Sequence, residues 1–289
     1  MSNPDASVPQ IFDRSLVRER RRRAADDFSQ YSFLFDEVSE RLIERLELIR
    51  RQYSAALIVG ARTGGVAARL AGRFGIETLV QFDLEPRMLS HGAGLRVAGD
   101  EEMLPFADGS FDLVISPVSL HSVNDLPGAL VQLRRVLRPD GLFLAAVYGL
   151  GSLAPLRDAF LAAESAAGAG SAPHVHPLLD VRDGGALLQR AGFALPVADA
   201  ETIAVNYANP MRLLSDLRGM GEGNALYRRS PGMMRRQVLF EAMKQMQGVE
   251  VPFEIVFLTG WAPDSGQQQP LRPGQGKTSL ASVLSTGNG

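Results

Sequence analysis

The sequence predicts an α/β protein whose parallel sheet is covered by helices on both faces. Two observations lead there. Short, wholly apolar runs alternate with segments whose apolar residues recur every three or four positions, the rhythm of βαβ units. Glycines or acids follow the apolar runs, where chain leaving a buried strand would turn. Taken in order, Phe35, Val38, Leu42, Leu46 and Ile49 mark an amphipathic helix over 35–49. AALIV (55–59) reads as a buried parallel strand ending at Gly60, and 64–74 returns to helical spacing. TLVQF (78–82) is the next strand and closes on Asp83. LVIS (113–116) and LFLAAVY (142–148) are two more, separated by a helix at 126–137 that Pro139-Asp140-Gly141 should terminate. Further on, 181–191 reads as a helix ending at Gly192, 194–206 as strand-like, 210–218 and 233–247 as helices, and VPFEIVFLTGW (251–261) as a strand. Residues 207–250 therefore read as a helical insertion between the last two strands, placed to cover a substrate.

Composition narrows the function. The chain has 289 residues, 45% of them hydrophobic, with a formal net charge of −2. Near-neutral charge argues against bulk binding to nucleic acid. With no cysteine there is no disulfide framework, thiolate metal site or Cys nucleophile. No apolar run has the length of a membrane helix, and MSNPDASVPQ lacks a signal-peptide core, so a soluble cytoplasmic protein is expected. Only Lys244 and Lys277 are lysines among 30 basic residues. Six arginines (Arg14, Arg18, Arg20, Arg21, Arg22 and Arg23) crowd a basic arm over residues 1–28, read first as a solvated face and second as a grip for an acidic partner. Residues 265–289 read as a flexible Gly/Ser/Gln/Pro tail; its GQGKT has Leu271 where a phosphate loop needs glycine.

Ligands of open α/β sheets bind beyond the carboxyl ends of the strands. After the first strand stand Gly60, Ala61, Arg62, Thr63, Gly64 and Gly65, and after the second Asp83, whose ionised carboxylate can accept from both hydroxyls of a ribose. Asp100, Glu101 and Glu102 lie near the third strand, for which no apolar run is marked, and Pro117 to His121 follow LVIS (113–116), counted as the fourth. Glycines admit a cofactor backbone, the first acid takes sugar hydroxyls, and the next accepts from an adenine amino group. Together they describe a nucleoside-binding crevice. As a strand-end acid facing a crevice, Asp83 is expected to pack against little; its competing reading is the cap of a helix beginning near Pro86.

The stretch 99–143 resembles the central part of class I S-adenosylmethionine (SAM) dependent methyltransferases. IFDRSLVRERRRRAA (11–25), SLHSVNDLPGAL (119–130), PHVHP (173–177), NYANPMRLLSDLRGMGEGNAL (206–226) and FLTGW (257–261) are more narrowly similar to the methyltransferase-fold assembly factor of respiratory complex I, an arginine hydroxylase, and its bacterial relatives. The biotin-pathway O-methyltransferase is a more distant look-alike. The resemblance covers about residues 11–264 and implies a seven-stranded Rossmann-like sheet with its last strand antiparallel, within a domain at 29–264.

By that resemblance, Gly60 and Gly64 meet the methionine part of SAM, Asp83 with Leu84 beside it the ribose, and Asp100 the adenine amino group. Glu101 borders the ring through its backbone, Ser116 ends the fourth strand at the crevice, and His121 stands as the catalytic candidate beside the methyl group. The usual loop, acid-apolar-Gly-x-Gly-x-Gly, departs here at Ile58 and Arg62; Arg62 either swings to the SAM carboxylate or fills the pocket. His174 and His176, two apart with Asp180 nearby, have metal-ligand spacing, but bracketing prolines argue against a metal and none is expected. Met211, Met220, Met233, Met234, Met243 and Met246 are spaced either to line an apolar groove or to fill core. Three functions compete: a SAM-dependent methyltransferase acting on a protein, such as a complex I subunit, or on a small molecule; an arginine hydroxylase of an iron–sulfur-bearing complex I subunit; and a non-catalytic assembly factor with a degenerate site.

Overall fold

The computed structural model describes residues 9–90, 92–168, 173–229, 232 and 234–267. Met233 and residues 268–289 of the expected tail, GQGKT included, lie outside them. Chain order runs α1 (Arg14–Ala24), α2 (Phe33–Leu48), β1 (Ala55–Val59), α3 (Gly65–Leu70), β2 (Thr78–Asp83), β3 (Leu95–Ala98), β4 (Phe111–Pro117), α4 (Leu126–Val136) and β5 (Leu137–Tyr148). There follow α5 (Ala154–Ala166), α6 (Val181–Arg190), β6 (Ala194–Asn206), α7 (Pro210–Gly219), α8 (Arg236–Gln245) and β7 (Glu250–Trp261). The seven strands form one sheet in the order β3-β2-β1-β4-β5-β7-β6. β7 alone runs antiparallel to its neighbours, paired to β5 from Leu142↔Trp261 to Tyr148↔Ile255 and to β6 from Ala194↔Trp261 to Asn206↔Glu250.

Strands buried on both faces explain the continuous apolar runs. All five residues of β1 are buried, and their side chains divide by the two-residue pleat. Ile58 joins Leu42, Leu46, Leu70, Phe160 and Phe257 beneath α2, α3 and α5. Leu57 and Val59 join Leu130, Leu133, Phe143 and Leu188 beneath α4 and α6. Helix starts follow local chemistry. The Asp13 carboxylate accepts from Leu16 N at 3.0 Å, Asp125 caps α4 through Gly128 N at 2.8 Å, and Asn209 with Pro210 opens α7.

Two expectations are corrected. Pro139-Asp140-Gly141 does not follow the helix as a loop; α4 ends at Val136, β5 begins at once, and the turn is a kink in β5 where register with β4 shifts between Phe111 and Leu113. The helix expected near Pro86 is one short 3-10 turn, Pro86–Leu89, and Glu85 caps it by accepting from Arg87 N at 3.2 Å. Asp83 is therefore no helix cap.

Candidate active site

Strand order reverses between β1, which leads toward β2 and β3, and β4, which leads toward β5, so the crevice lies above β1 and β4. The loop after β1 reaches it first. Gly60 has φ +75, and a Cβ there would stand 2.1 Å from Ser119 Cβ. Only glycine lets the β1 and β4 loops pass so closely. Gly60→Ala is expected to cost about 2 kcal/mol of stability, from φ strain and overpacking together, measurable by chemical denaturation.

Arg62 keeps a left-handed backbone, φ +52, where the resemblance expects glycine. Its side chain goes neither to solvent nor along the loop. The guanidinium lies 4.9 Å over the Phe35 ring, and Nη2 donates to Glu222 Oε1 at 2.5 Å. Its N–H donates to Asp83 Oδ2 at 3.1 Å. A cavity of about 360 Å³ borders Arg62, Thr63, Gly64, Gly65 and Pro117 under Phe28 and Phe35.

Asp83 is fully buried at the end of β2. The expectation that it packs against little is corrected: Oδ1 accepts from Glu85 N and from Arg21 Nη1, each at 3.1 Å. Arg21 also donates to Glu101 Oε1 at 2.9 Å and Ser119 Oγ at 3.2 Å. Arg14 spans Asp100, at 2.8 Å, and Glu101, and Arg18 reaches Glu85 at 3.3 Å. The reading of the basic arm as a solvated face is thereby overturned for Arg21, which is 1% exposed, and for Arg14; Arg22 and Arg23 stay at the surface on Glu19. Glu101 enters with its side chain rather than its backbone alone. Burial would raise its pKa, but Arg21, Arg14 and the Ser119 hydroxyl prevail and hold it well below the usual carboxylate range. Leu84 is buried against Val17 and Ala225, and Ser116 is buried with no partner for Oγ.

His121, after β4, donates or accepts at Nε2 with Glu222 Oε2, 2.8 Å away, and packs edge-on against Tyr148 at 4.7 Å. Burial alone would raise the pKa of Glu222; His121 and Arg62 reverse this and hold the acid ionised, so Nε2 carries the proton in their hydrogen bond. Nδ1 is buried with no hydrogen-bond partner. Glu222 was absent from the expected site. It comes from the loop after α7, between Gly221 and Gly223, inside the 206–226 stretch that carries the family resemblance but was given no role in the site.

The two histidines with metal-like spacing diverge. His174 Nε2 meets Glu164 Oε1 at 2.7 Å and its ring stacks on Phe160; His176 Nε2 accepts from Ala225 N at 3.0 Å and its ring lies 6.4 Å from that of His121. Among the described residues no group of three or more His, Cys, Asp or Glu is placed to hold a metal ion. Burial and then His121 pull the pKa of His176 down to about 4, while Glu222 works the other way. The unfolded chain takes up this proton near 6.5 and the folded chain only near 4. Stability is therefore complete above pH 6.5 and is lost as pH falls from there toward 4. Denaturation at pH 7 and pH 5 should show a loss of about 1–2 kcal/mol that His176→Asn removes; an unchanged difference in the variant would assign the loss elsewhere.

Beside this cluster a cavity of about 720 Å³ opens between α1, α5, α7 and the 173–178 segment. Leu153, Leu156, Phe160, Leu214 and Phe253 line its apolar wall, with Tyr148, His176, Glu222 and Asn224 at the polar end and Arg20, Arg23 and Arg218 also bordering it. Met234 lines this cavity, Met220, Met243 and Met246 are core, and Met211 is exposed.

A glycine loop, a strand-end acid and a switch-point crevice in this strand order define a class I methyltransferase fold. A family model described as a methyltransferase domain matches residues 57–145. Phosphoethanolamine N-methyltransferase 2 of Haemonchus contortus, solved with S-adenosyl-L-methionine, superposes with a TM-score of 0.54 at 16% identity, over 83% of this chain and 57% of that one. The chain is 36% identical to the mitochondrial arginine-hydroxylase NDUFAF5 of Danio rerio, over 96% of its own length and 90% of that protein. It is 33% identical to a malonyl-acyl-carrier-protein O-methyltransferase of Laribacter hongkongensis, over 91% and 94% respectively. The chain belongs to the methyltransferase-fold enzyme family that holds these relatives.

Proposed function

We propose that the protein is a SAM-binding enzyme that modifies a protein partner, a subunit of respiratory complex I, during assembly. The observation that carries this reading is the convergence of the Gly60–Gly65 loop, Asp83 and Glu101 at the switch point. Asp83 and Glu101 share one guanidinium between them, and at Asp83 that donor stands where a ribose hydroxyl would offer its hydrogen. When bound, SAM supplies an electrophilic methyl group on sulfur. Gly60 and Gly64 would line its methionine end, Asp83 with Leu84 the ribose, Asp100 and Glu101 the adenine, and Ser116 the crevice floor.

Arg62 is held on Glu222, so its contribution is to fix the loop. His121 stands beside the 720 Å³ cavity, against Tyr148 and near His176, which line it, and the cavity offers room for the acceptor side chain. Methyl transfer from a sulfonium depends mainly on alignment, which the walls of this cavity would supply. Residues 29–264 act as the catalytic domain, and the insertion at 207–250 brings Glu222 to it. A small-molecule acceptor is the lesser form of the same reading, and the cytoplasm the proposed compartment; no helix among the described residues is long and apolar enough to cross a membrane.

Arginine hydroxylation is the second reading, favoured by likeness to the Danio rerio arginine-hydroxylase across nearly the whole chain. Calorimetric titration with SAM and its demethylated product tests the cofactor, and no heat at millimolar ligand would sink that part of the proposal. Mass spectrometry of complex I subunits from a strain lacking the protein separates the reactions. A lost methyl increment supports methylation, a lost oxygen increment supports hydroxylation, and failed assembly with neither points to a non-catalytic factor.

A further inference from the structure

The N-terminal helix fills the crevice that the proposed reading gives to the cofactor. Arg14, Val17, Arg21 and Ala24 form the inward face of α1, and its three inward or flanking arginines meet the acids at the ends of β2 and β3. A buried guanidinium is an expensive way to pack a helix, because each ion loses several kcal/mol of hydration that an apolar side chain would not. Arg21 is nevertheless the largest of the fully buried side chains.

We infer that α1 is an internal stand-in for the cofactor: Arg21 holds the carboxylates of Asp83 and Glu101 until SAM displaces it, so that cofactor binding and release of α1 are one equilibrium. The inference rests on the SAM reading of the crevice. Its physical basis is competition for oxygens. Asp83 Oδ1 already accepts from Arg21 and Glu85 N, Oδ2 accepts from Arg62 N, and Glu101 Oε1 accepts from Arg21 and Ser119 Oγ. A ribose diol and the Arg21 side chain cannot both occupy the space in front of Asp83, which is closed to solvent with the arginine in place. Departure of Arg21 without a replacement would leave two buried acids short of a partner, so the crevice favours one occupant or the other over none.

The helix is also tethered where it begins. The Asn124 carboxamide oxygen accepts from Ile11 N at 2.8 Å and Phe12 N at 2.7 Å, and Asp13 N donates to Ala225 O at 2.9 Å. Release of Arg21 can thus swing α1 without losing it. Because Arg20, Arg23 and Ala24 of α1 also wall the 720 Å³ cavity, the same movement widens the acceptor side when cofactor binds.

Two measurements on the full-length protein test this. Hydrogen exchange of the wild type should speed up across residues 14–24 on addition of SAM. Calorimetry should show Arg21→Gln binding SAM at least about tenfold more tightly than wild type, since the competing state is removed. Slower or unchanged exchange in α1 on binding, or equal or weaker binding by the variant, overturns the inference and makes Arg21 part of the cofactor's own pocket. Should Arg21→Gln fail to fold, the exchange result on the wild type decides. Absence of SAM binding by both proteins overturns this inference together with the cofactor reading. Binding by both with α1 still protected overturns the inference alone.

Discussion

Asp83→Ala should lower the stability of the protein by about 3 kcal/mol and weaken SAM roughly 10- to 100-fold. The stability loss follows from three donors losing their acceptor at once: the Arg21 guanidinium and the N–H groups of Arg62 and Glu85. Arg21 keeps Glu101, which holds the effect toward the lower end of what breaking a buried ion pair costs. The binding loss follows from two charge-assisted hydrogen bonds to the ribose, each worth about 1.5–3 kcal/mol. Part of that is offset, because the same substitution loosens Arg21 from the crevice. Asp83→Asn keeps an acceptor for one backbone N–H and should fall between alanine and wild type on both measures. Thermal melts with and without SAM separate the two roles. A lowered melt with an unchanged ligand-induced shift would leave Asp83 a purely structural acid, and an unchanged melt would mean that the carboxylate does not hold Arg21 in solution.

Why Asp83 looked like a lightly packed crevice acid is a matter of which contacts sequence patterns carry. The parallel strands were legible because double-sided burial demands continuous apolar runs: AALIV coincides with β1, and TLVQF falls one residue short of β2. β3, Leu95–Ala98, left no such run because it is an edge strand with Leu95 64% exposed. α5 was also missed; APLRDAFLAAESA is so rich in alanine that its buried stripe of Leu156, Ala159, Phe160 and Ala163 has little contrast with the opposite face. The inward turn of Arg21 did have a signal. Val17, Arg21, Ala24 and Phe28 follow one another at spacings of three and four, so an arginine stands on the apolar stripe of α1 and its extension. The six-arginine cluster masked this, since composition counts charges without regard to face. Glu222 had no comparable signal: flanked by two glycines in a loop, it meets Arg62 and His121 from 160 and 101 residues away, a pairing only the folded insertion creates.

Glu222→Ala should be the more damaging of the two site substitutions for stability, at about 3–5 kcal/mol, because the Arg62 guanidinium then keeps no hydrogen-bonded acid, whereas Arg21 keeps Glu101 when Asp83 is lost. Arg62 and His121 are 4% and 2% exposed at the side chain, and each spends one oxygen of the same carboxylate. Without that acid, Arg62 retains only the Met220 carbonyl at 3.5 Å and the Phe35 ring, and His121 Nε2 loses its partner. Glu222→Gln preserves the shape and one acceptor and should cost about half as much. The charge has its own signature in pH. The folded-state pKa of Glu222 is depressed below its ordinary value of 4.5, so as pH falls past 4.5 the unfolded chain takes up this proton first. Its contribution is therefore complete above 4.5 and declines progressively below it. Wild-type stability followed from pH 6 to pH 3 should fall more steeply than that of Glu222→Gln, whose amide does not titrate. Parallel curves would show that the acid limb belongs to Glu101 and the other paired carboxylates. Activity separates position from packing. If Glu222 sets the orientation of His121 toward the acceptor, Glu222→Gln should lower kcat far more than it raises KM, and Glu222→Asp, with the charge kept on a shorter arm, should recover part of kcat. Equal loss in both variants, in step with their stability, would reduce Glu222 to a strut between the insertion and the glycine loop.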